Sequence, residues 1–254
     1  MLTNKNQQIY VAHAELFFNL LSYNISMNTK SPLLTNENLQ NTTEAPTGIP
    51  TFAHNATHYH MILDKSGSME SHYVEILQAL NTKFDSIRAT QAEHPEIPIY
   101  VSLTVFNDEP ELIFEQRPAS ELRPLTEADY QLGGMTALLD ATGTVIERMQ
   151  YLLRHDLEHH NANAMVVIYT DGFENASKRY TYDQIGRKIK QLGIDNRWSF
   201  TFVGADIDAW DLASRIQFNR SNVFSSKKAE VSNSMSFLSS EFSKIIHEKK
   251  LKLK

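Results

Sequence analysis

The chain has 254 residues, 41% hydrophobic and 21% charged, an ordinary globular composition long enough for one large α/β domain or one domain with a tail. It contains no cysteine, which excludes a disulfide framework, a thiolate zinc site, a thiol nucleophile and an iron–sulfur cluster. Twenty-four Lys and Arg against thirty Asp and Glu give a net charge of −6, not the balance of a general nucleic-acid binder.

Residues 1–55 carry nine Asn and only five formal charges, Lys5, Glu15, Lys30, Glu37 and Glu44. Pro32, Pro46, Gly48 and Pro50 punctuate their second half. Such a segment buries too little apolar surface to offset its ordering entropy. It is read as a polar, flexible N-terminal extension with one short amphipathic helix near 12–23, and Met27 is an alternative start. The apolar stretch 9–23 has only Lys5 before it, is broken by Asn19 and lacks a small-residue cleavage site, so the chain is read as non-secretory and cytoplasmic. The Asn-x-Ser/Thr triplets at Asn41, Asn55 and Asn175 are then chance matches. No apolar run approaches the ~20 residues of a membrane helix.

From residue 57 the pattern is regular. Residues 58–64 read as a buried strand ending in Asp64, and 68–92 as a helix with Val74, Leu77, Leu80, Phe84 and Ile87 at helical spacing. Residues 99–106 alternate as a strand; a turn at 107–110 and a return at 112–114 make a hairpin. Gly133-Gly134 marks a loop before a helix over 137–154. A buried strand over 164–169 leads into Thr170-Asp171-Gly172. Helix 182–192 stops at Gly193, strand 198–203 ends at Gly204, and a short helix follows over 209–216. A last strand over 222–224 and an amphipathic helix over 232–247 complete the domain, taken as 56–247, and 248–254 reads as a basic C-terminal tail with four Lys. Strands and helices alternate at βαβ spacing. The expected fold is therefore α/β: a Rossmann-like, doubly wound, mostly parallel sheet with one antiparallel edge strand and helices on both faces.

In such sheets ligands sit beyond the carboxyl ends of the strands. Asp64-Lys65-Ser66-Gly67-Ser68 follows the first strand, Thr136 follows the Gly-Gly loop, and Asp171 follows the central strand. Asp64, Ser66, Ser68, Thr136 and Asp171 are all hard oxygen donors, two carboxylates and three hydroxyls, a set that suits Mg2+. Residues i, i+2 and i+4 of a strand-to-helix turn can face one point, with Gly67 permitting the turn and Ser68 capping the helix. Taken alone, Asp-x-Ser-x-Ser fits a glycine turn with a serine cap equally well.

Together these segments resemble the metal-ion-dependent adhesion site of von Willebrand factor type A domains: Asp-x-Ser-x-Ser, a distant Thr and a distant Asp. The resemblance runs over about 57–247. It includes Phe106-Asn107-Asp108, Gly133–Leu138, Thr170–Ser177 and Gly204–Ala209, which are similar to stand-alone bacterial and phage members. It implies that Ser66, Ser68 and Thr136 bind the cation directly, while Asp64 and Asp171 act mainly through water. Mg2+ is the implied ion, with Mn2+ and Ca2+ as alternatives. A carboxylate of a protein partner, an Asp or Glu, would complete the coordination; neither nucleic acid nor a membrane is expected as partner. Bacterial relatives often work beside kinases, phosphatases or AAA+ ATPases.

Two other readings stand beside this one. A haloacid-dehalogenase-type phosphatase would use Asp64 as nucleophile, but its general-acid position is Ser66, which cannot replace a carboxylic acid. A structural scaffold with an unused metal site is the other. No His-Glu-x-x-His, Gly-x-Ser-x-Gly, P-loop or Gly-x-Gly-x-x-Gly is present. His155, His159 and His160 crowd a helix end, where a favourable dipole interaction is commoner than zinc binding. His58 and His60 read as packed or edge residues. Asp140 reads as a first-turn carboxylate, and Glu174 and Asp108 as loop residues close to the site.

Overall fold

The computed structural model describes residues 52–252 except 160, 195, 206–208, 219–221 and 227–230. The expected helix at 12–23 and most of the N-terminal extension lie outside these residues. Six strands form one sheet: β1 (Thr57–Asp64), β2 (Ile99–Phe106), β3 (Pro110–Pro118), β4 (Asn163–Thr170), β5 (Trp198–Ala205) and β6 (Val223–Ser226). Their order is β3-β2-β1-β4-β5-β6, parallel throughout except for β3, which pairs antiparallel with β2 at one edge. The helices are α1 (Tyr73–Glu93), α2 (Leu138–His159), α3 (Tyr182–Gly193), α4 (Ala209–Arg215) and α5 (Val231–Lys252).

The period of two along each strand divides the core into two layers. Tyr59, Met61 and Leu63 of β1, with Met165, Val167 and Tyr169 of β4, face α1 and α5 through Ile76, Leu80, Phe84, Leu238, Phe242 and Ile246. Ile62, Val166, Ile168, Phe200 and Phe202 face the other way, against α2, α3 and α4 through Leu139, Ile146, Met149, Leu153, Ile185, Ile189 and Leu212. Every residue of β1 is buried because it pairs on both sides and is covered on both faces. The described chain thus has the doubly wound architecture with one antiparallel edge. No helix among the described residues is long and apolar enough to cross a membrane.

Several boundaries differ from the sequence reading. Strand β3 continues to Pro118, past the point where alternation fades, because Gln116 turns through a left-handed φ of 48° in a stretch of shifted register and re-enters the ladder. The first helix is preceded by a 3-10 turn, Gly67–His72, so α1 begins only at Tyr73. Helix α5 runs through Lys252, and Lys249, expected in a solvated basic tail, is 4% exposed. Its Nζ donates to the Ala56 and Asn161 carbonyls, both at 2.8 Å, and to Asn163 Oδ1 at 2.7 Å. The ammonium fastens the end of α5 beneath β1 and β4, a long-range role that a local charge count does not reveal.

Lys83 of α1 is also buried. Its Nζ donates to the Leu238 carbonyl at 3.2 Å and Ser239 Oγ at 3.3 Å, and lies 5.5 Å from the Tyr59 ring centre and 5.0 Å from that of Phe242. Burial without a carboxylate pulls this ammonium down to about 7. His58 and His60 are packed, as expected for a fully covered strand. His58 Nδ1 meets Gln116 Oε1 at 2.6 Å and His60 Nε2 meets Thr104 Oγ1 at 2.8 Å. Burial lowers His58 to about 4 and His60 to about 3.

A buried neutral histidine contributes stability above its unfolded pKa of about 6.5 and loses it as pH falls toward the folded value. Lowering the pH from 7 to 5 therefore costs roughly 2 kcal/mol through His60. Urea unfolding at both pH values is expected to show a smaller loss in His60→Gln than in the parent. Lys249→Met leaves three oxygens without their donor and is expected to lower unfolding stability by roughly 2–4 kcal/mol. Lys250→Met, at a half-exposed position, is expected to stay within about 0.5 kcal/mol of the parent in the same measurement.

Candidate metal centre

The strand order reverses between β1 and β4, and their carboxyl ends open a crevice there. Asp64 is the last residue of β1, and Thr170-Asp171 ends β4 beside it. Asp64 is fully buried. One carboxylate oxygen accepts the Ser66 backbone N–H at 2.7 Å and the other accepts the Thr170 hydroxyl at 2.5 Å. The Tyr130 hydroxyl donates to the Asp64 carbonyl at 2.6 Å. Burial pushes the Asp64 carboxyl up to about 6; the hydrogen bonds from Thr170 and Ser66 oppose this, and the nearby Asp171 charge adds to it.

The remaining candidates converge around this carboxylate. Ser66 Oγ lies 3.1 Å from Ser68 Oγ, and Ser68 Oγ donates to Asp171 Oδ1 at 2.5 Å. Thr136 arrives from the Gly-Gly loop. A Cβ placed on Gly172 would lie 3.0 Å from Thr136 Oγ1 and 3.5 Å from Ser68 Oγ. The bare glycine thus leaves a small cradle between the threonine and the second serine. All five candidates, Asp64, Ser66, Ser68, Thr136 and Asp171, are brought to one place by three segments distant in sequence.

The loop carrying Thr136 is laced to its neighbours. Gly133 N–H donates to the Lys65 carbonyl at 2.9 Å, Asn107 Nδ2 to the Gly133 carbonyl at 2.8 Å, and Ala137 N–H to the Asn107 carbonyl at 2.7 Å. Gly134 sits at φ +80°, and a side chain there would run into Asp108 Oδ2 at 2.1 Å. Asn175 grips Thr136 from both sides: Thr136 N–H donates to Asn175 Oδ1 at 2.8 Å and Asn175 N–H to the Thr136 carbonyl at 3.1 Å.

Two acidic residues near the site have structural duties. Glu174 accepts the backbone N–H groups of Leu139, Ala176 and Ser177 and the Ser177 hydroxyl. Asp140 accepts those of Lys178, Arg179 and Tyr180. Both carboxylates clip the loop after Asp171 onto the N-terminal turn of α2, where the dipole favours negative charge. His155 and His159 pack ring to ring, 4.9 Å between centroids, and His160 lies outside the described residues. No group of three or more His, Asp or Glu able to hold a metal occurs among the described residues.

Local details differ from the sequence reading. Gly67 does not use a left-handed conformation, and a Cβ there would meet nothing closer than the Gly134 carbonyl at 3.8 Å. At the crevice the glycines with close neighbours are Gly134 and Gly172. Ser68 does not cap α1, because it lies within the 3-10 turn that precedes that helix, and its hydroxyl donates to Asp171 across the crevice. Thr170, Tyr130, Asn107 and Asn175 support the site and were not singled out from sequence. The first lies inside the Thr-Asp-Gly triplet and the two asparagines inside the matched stretches, whereas Tyr130 carries no local signal.

The donor set fits a hard divalent cation. All five side chains offer oxygen, the two carboxylates match the charge of such an ion, and the cradle beside Gly172 keeps the hydroxyl face open. A doubly wound domain with an oxygen-only site at its switch point defines a class, and the chain has the fold of von Willebrand factor type A domains. One solved structure like it is the vWF domain of the type V pili tip protein Mfa5 from Porphyromonas gingivalis: 9% identity, 77% of this chain and 97% of that one, TM-score 0.54. A second is the pilus adhesin SpaC from Lactobacillus rhamnosus GG in its open conformation: 12% identity, 74% of this chain and 30% of that one, TM-score 0.53. A third is the ArnB paralog VWA2 from Sulfolobus acidocaldarius: 17% identity, 73% of this chain and 45% of that one, TM-score 0.49. The match therefore spans less than half of the length of the last two proteins. No protein-family profile and no curated protein sequence matches the chain.

Removing the Thr170 hydroxyl isolates its effect on Asp64. In Thr170→Val the Asp64 carboxyl loses a donor to its charged form and is expected to titrate above about 6. Carboxyl NMR in metal-free buffer measures the shift, and an unchanged or lowered value would contradict the assigned hydrogen bond.

Proposed function

We propose that the chain is a non-enzymatic protein-binding module whose site holds Mg2+, with Mn2+ or Ca2+ as substitutes. Ser66, Ser68 and Thr136 would bind the ion directly, and Asp64 and Asp171 would hold it mainly through water. The observation that carries this reading is the convergence of two carboxylates and three hydroxyls on the crevice between β1 and β4. When bound, the ion supplies an electrophilic position that an outside oxygen can fill. With neutral hydroxyls closest to it, the ion remains under-neutralised and favours an anionic sixth ligand. A carboxylate of a protein partner, Asp or Glu, has that chemistry.

The protein's own residues set the rest. Asp64 fixes Ser66 through its backbone N–H, Asp171 fixes Ser68 through its hydroxyl, and Asn175 fixes Thr136. The donors are thus oriented before the ion arrives, which lowers the ordering cost of binding. The phosphatase reading is disfavoured by the same geometry. Both Asp64 oxygens accept hydrogen bonds and the residue is fully buried, so it is poorly placed to attack a phosphate in line. Two solved structures like this chain, each with a TM-score above 0.5, are a pilus adhesin and a pilus tip protein, which accords with a binding role. Action in the cytoplasm, beside kinase, phosphatase or AAA+ ATPase systems, is part of the proposal.

Calorimetric melting tests the site. Mg2+ at a hundredfold excess over its Kd is expected to raise Tm by roughly 5–10 °C. Ser68→Ala and Asp171→Asn are expected to abolish the rise. A parent chain whose Tm responds to none of Mg2+, Mn2+ and Ca2+ would end the proposal.

A further inference from the structure

Two large apolar side chains stand exposed at the mouth of the crevice, Met135 and Phe173, each 52% exposed. Met135 immediately precedes Thr136, and Phe173 immediately follows Gly172. The Thr136 side chain lies 3.0 Å from the Cβ position of Gly172, so the two loops touch at those residues, and each carries an exposed apolar residue next to the contact.

Their backbones are fixed. Met135 N–H donates to Asp108 Oδ2 at 3.3 Å, and the next residue is gripped by Asn175. Gly172 N–H donates to Thr170 Oγ1 at 3.1 Å on one side of Phe173, and on the other the Glu174 carboxylate accepts four hydrogen bonds. A solitary exposed apolar residue is ordinary. Two on rigid loops, bordering one polar site, make the usual arrangement of an interface anchor, with the ordering cost already met.

Glu70, Asp108 and Glu109 are exposed on the turns at this end of the sheet, and Lys178 and Arg179 are exposed on the loop that follows Phe173. Charges of both signs set no preference there, whereas an apolar neighbour of the partner's carboxylate would be received by Met135 and Phe173.

We propose that Met135 and Phe173 form an apolar receptor for the partner, which presents an Asp or Glu with a bulky apolar side chain within two positions. This rests on the carboxylate-binding reading above. The test is selection of random peptides on the immobilised full chain in Mg2+, with elution by EDTA. The expected pool carries an acidic residue with Leu, Ile, Met, Phe or Trp within two positions. Synthetic peptides from it are expected to bind the double variant Met135→Ser, Phe173→Ser about tenfold or more weakly by fluorescence anisotropy. The Mg2+-induced rise in Tm of that variant is expected to match the parent's. An acidic pool with no apolar preference, or equal binding to the double variant, overturns the apolar receptor and leaves carboxylate binding intact. Absence of any EDTA-eluted enrichment overturns carboxylate binding and the receptor together. Loss of the Mg2+ response in the double variant also overturns the receptor, since the two side chains then serve the ion and not the partner.

Discussion

The structure depends on one buried carboxylate at the point where the sheet reverses its winding. Asp64 ends β1 and has no exposure to solvent, yet both of its oxygens are matched, one by the Ser66 backbone and one by the Thr170 hydroxyl. These two bonds join β1 to β4 at the rim and start the turn that carries the serines. Leaving such a group unmatched would be expensive, so the two hydrogen bonds specify the local path of the chain. Burial still holds the carboxyl near 6, which marks the position as electrostatically tense before any cation is considered.

From that anchor the loops are arranged in layers. Asn107 and the Gly133-Gly134 turn hold the segment bearing Thr136 against the segment bearing Ser66 and Ser68. Glu174 and Asp140 then clip the loop after Asp171 to the start of α2. The acidic residues around the crevice therefore divide by task. Asp64 and Asp171 face the serines, while Glu174 and Asp140 are consumed by backbone N–H groups. That division explains how a rim rich in oxygen can remain rigid.

At the opposite end of the sheet the fold uses buried cations. Lys249 gathers three oxygens from the segments that begin β1 and β4, and Lys83 holds the middle of α5 through a carbonyl and a hydroxyl. Neither lysine has a carboxylate among these acceptors. Both secure α5, whose apolar contacts come from the buried Leu238, Phe242 and Ile246 and the partly buried Phe237 and Ile245. Charged residues thus complete a packing surface that the apolar residues of α5 only partly cover.

The sequence by itself determined the order of strands and helices, because β1, β4 and β5 are short apolar runs bounded by turn residues and the helices keep a 3.6-residue period. It also determined the five oxygen-bearing candidates, since each directly follows a strand or a Gly-Gly loop, where a doubly wound sheet must place its ligands. What it could not supply were contacts between segments far apart in the chain. Tyr130 reaching the Asp64 carbonyl, Ser68 bonding Asp171 and not capping a helix, Gly172 making room for Thr136, and Lys249 leaving solvent for the underside of the sheet all depend on the packed arrangement. The physical reason is that local pattern reports burial and backbone preference, whereas the partner of a buried polar atom is chosen only when the distant loops close around it.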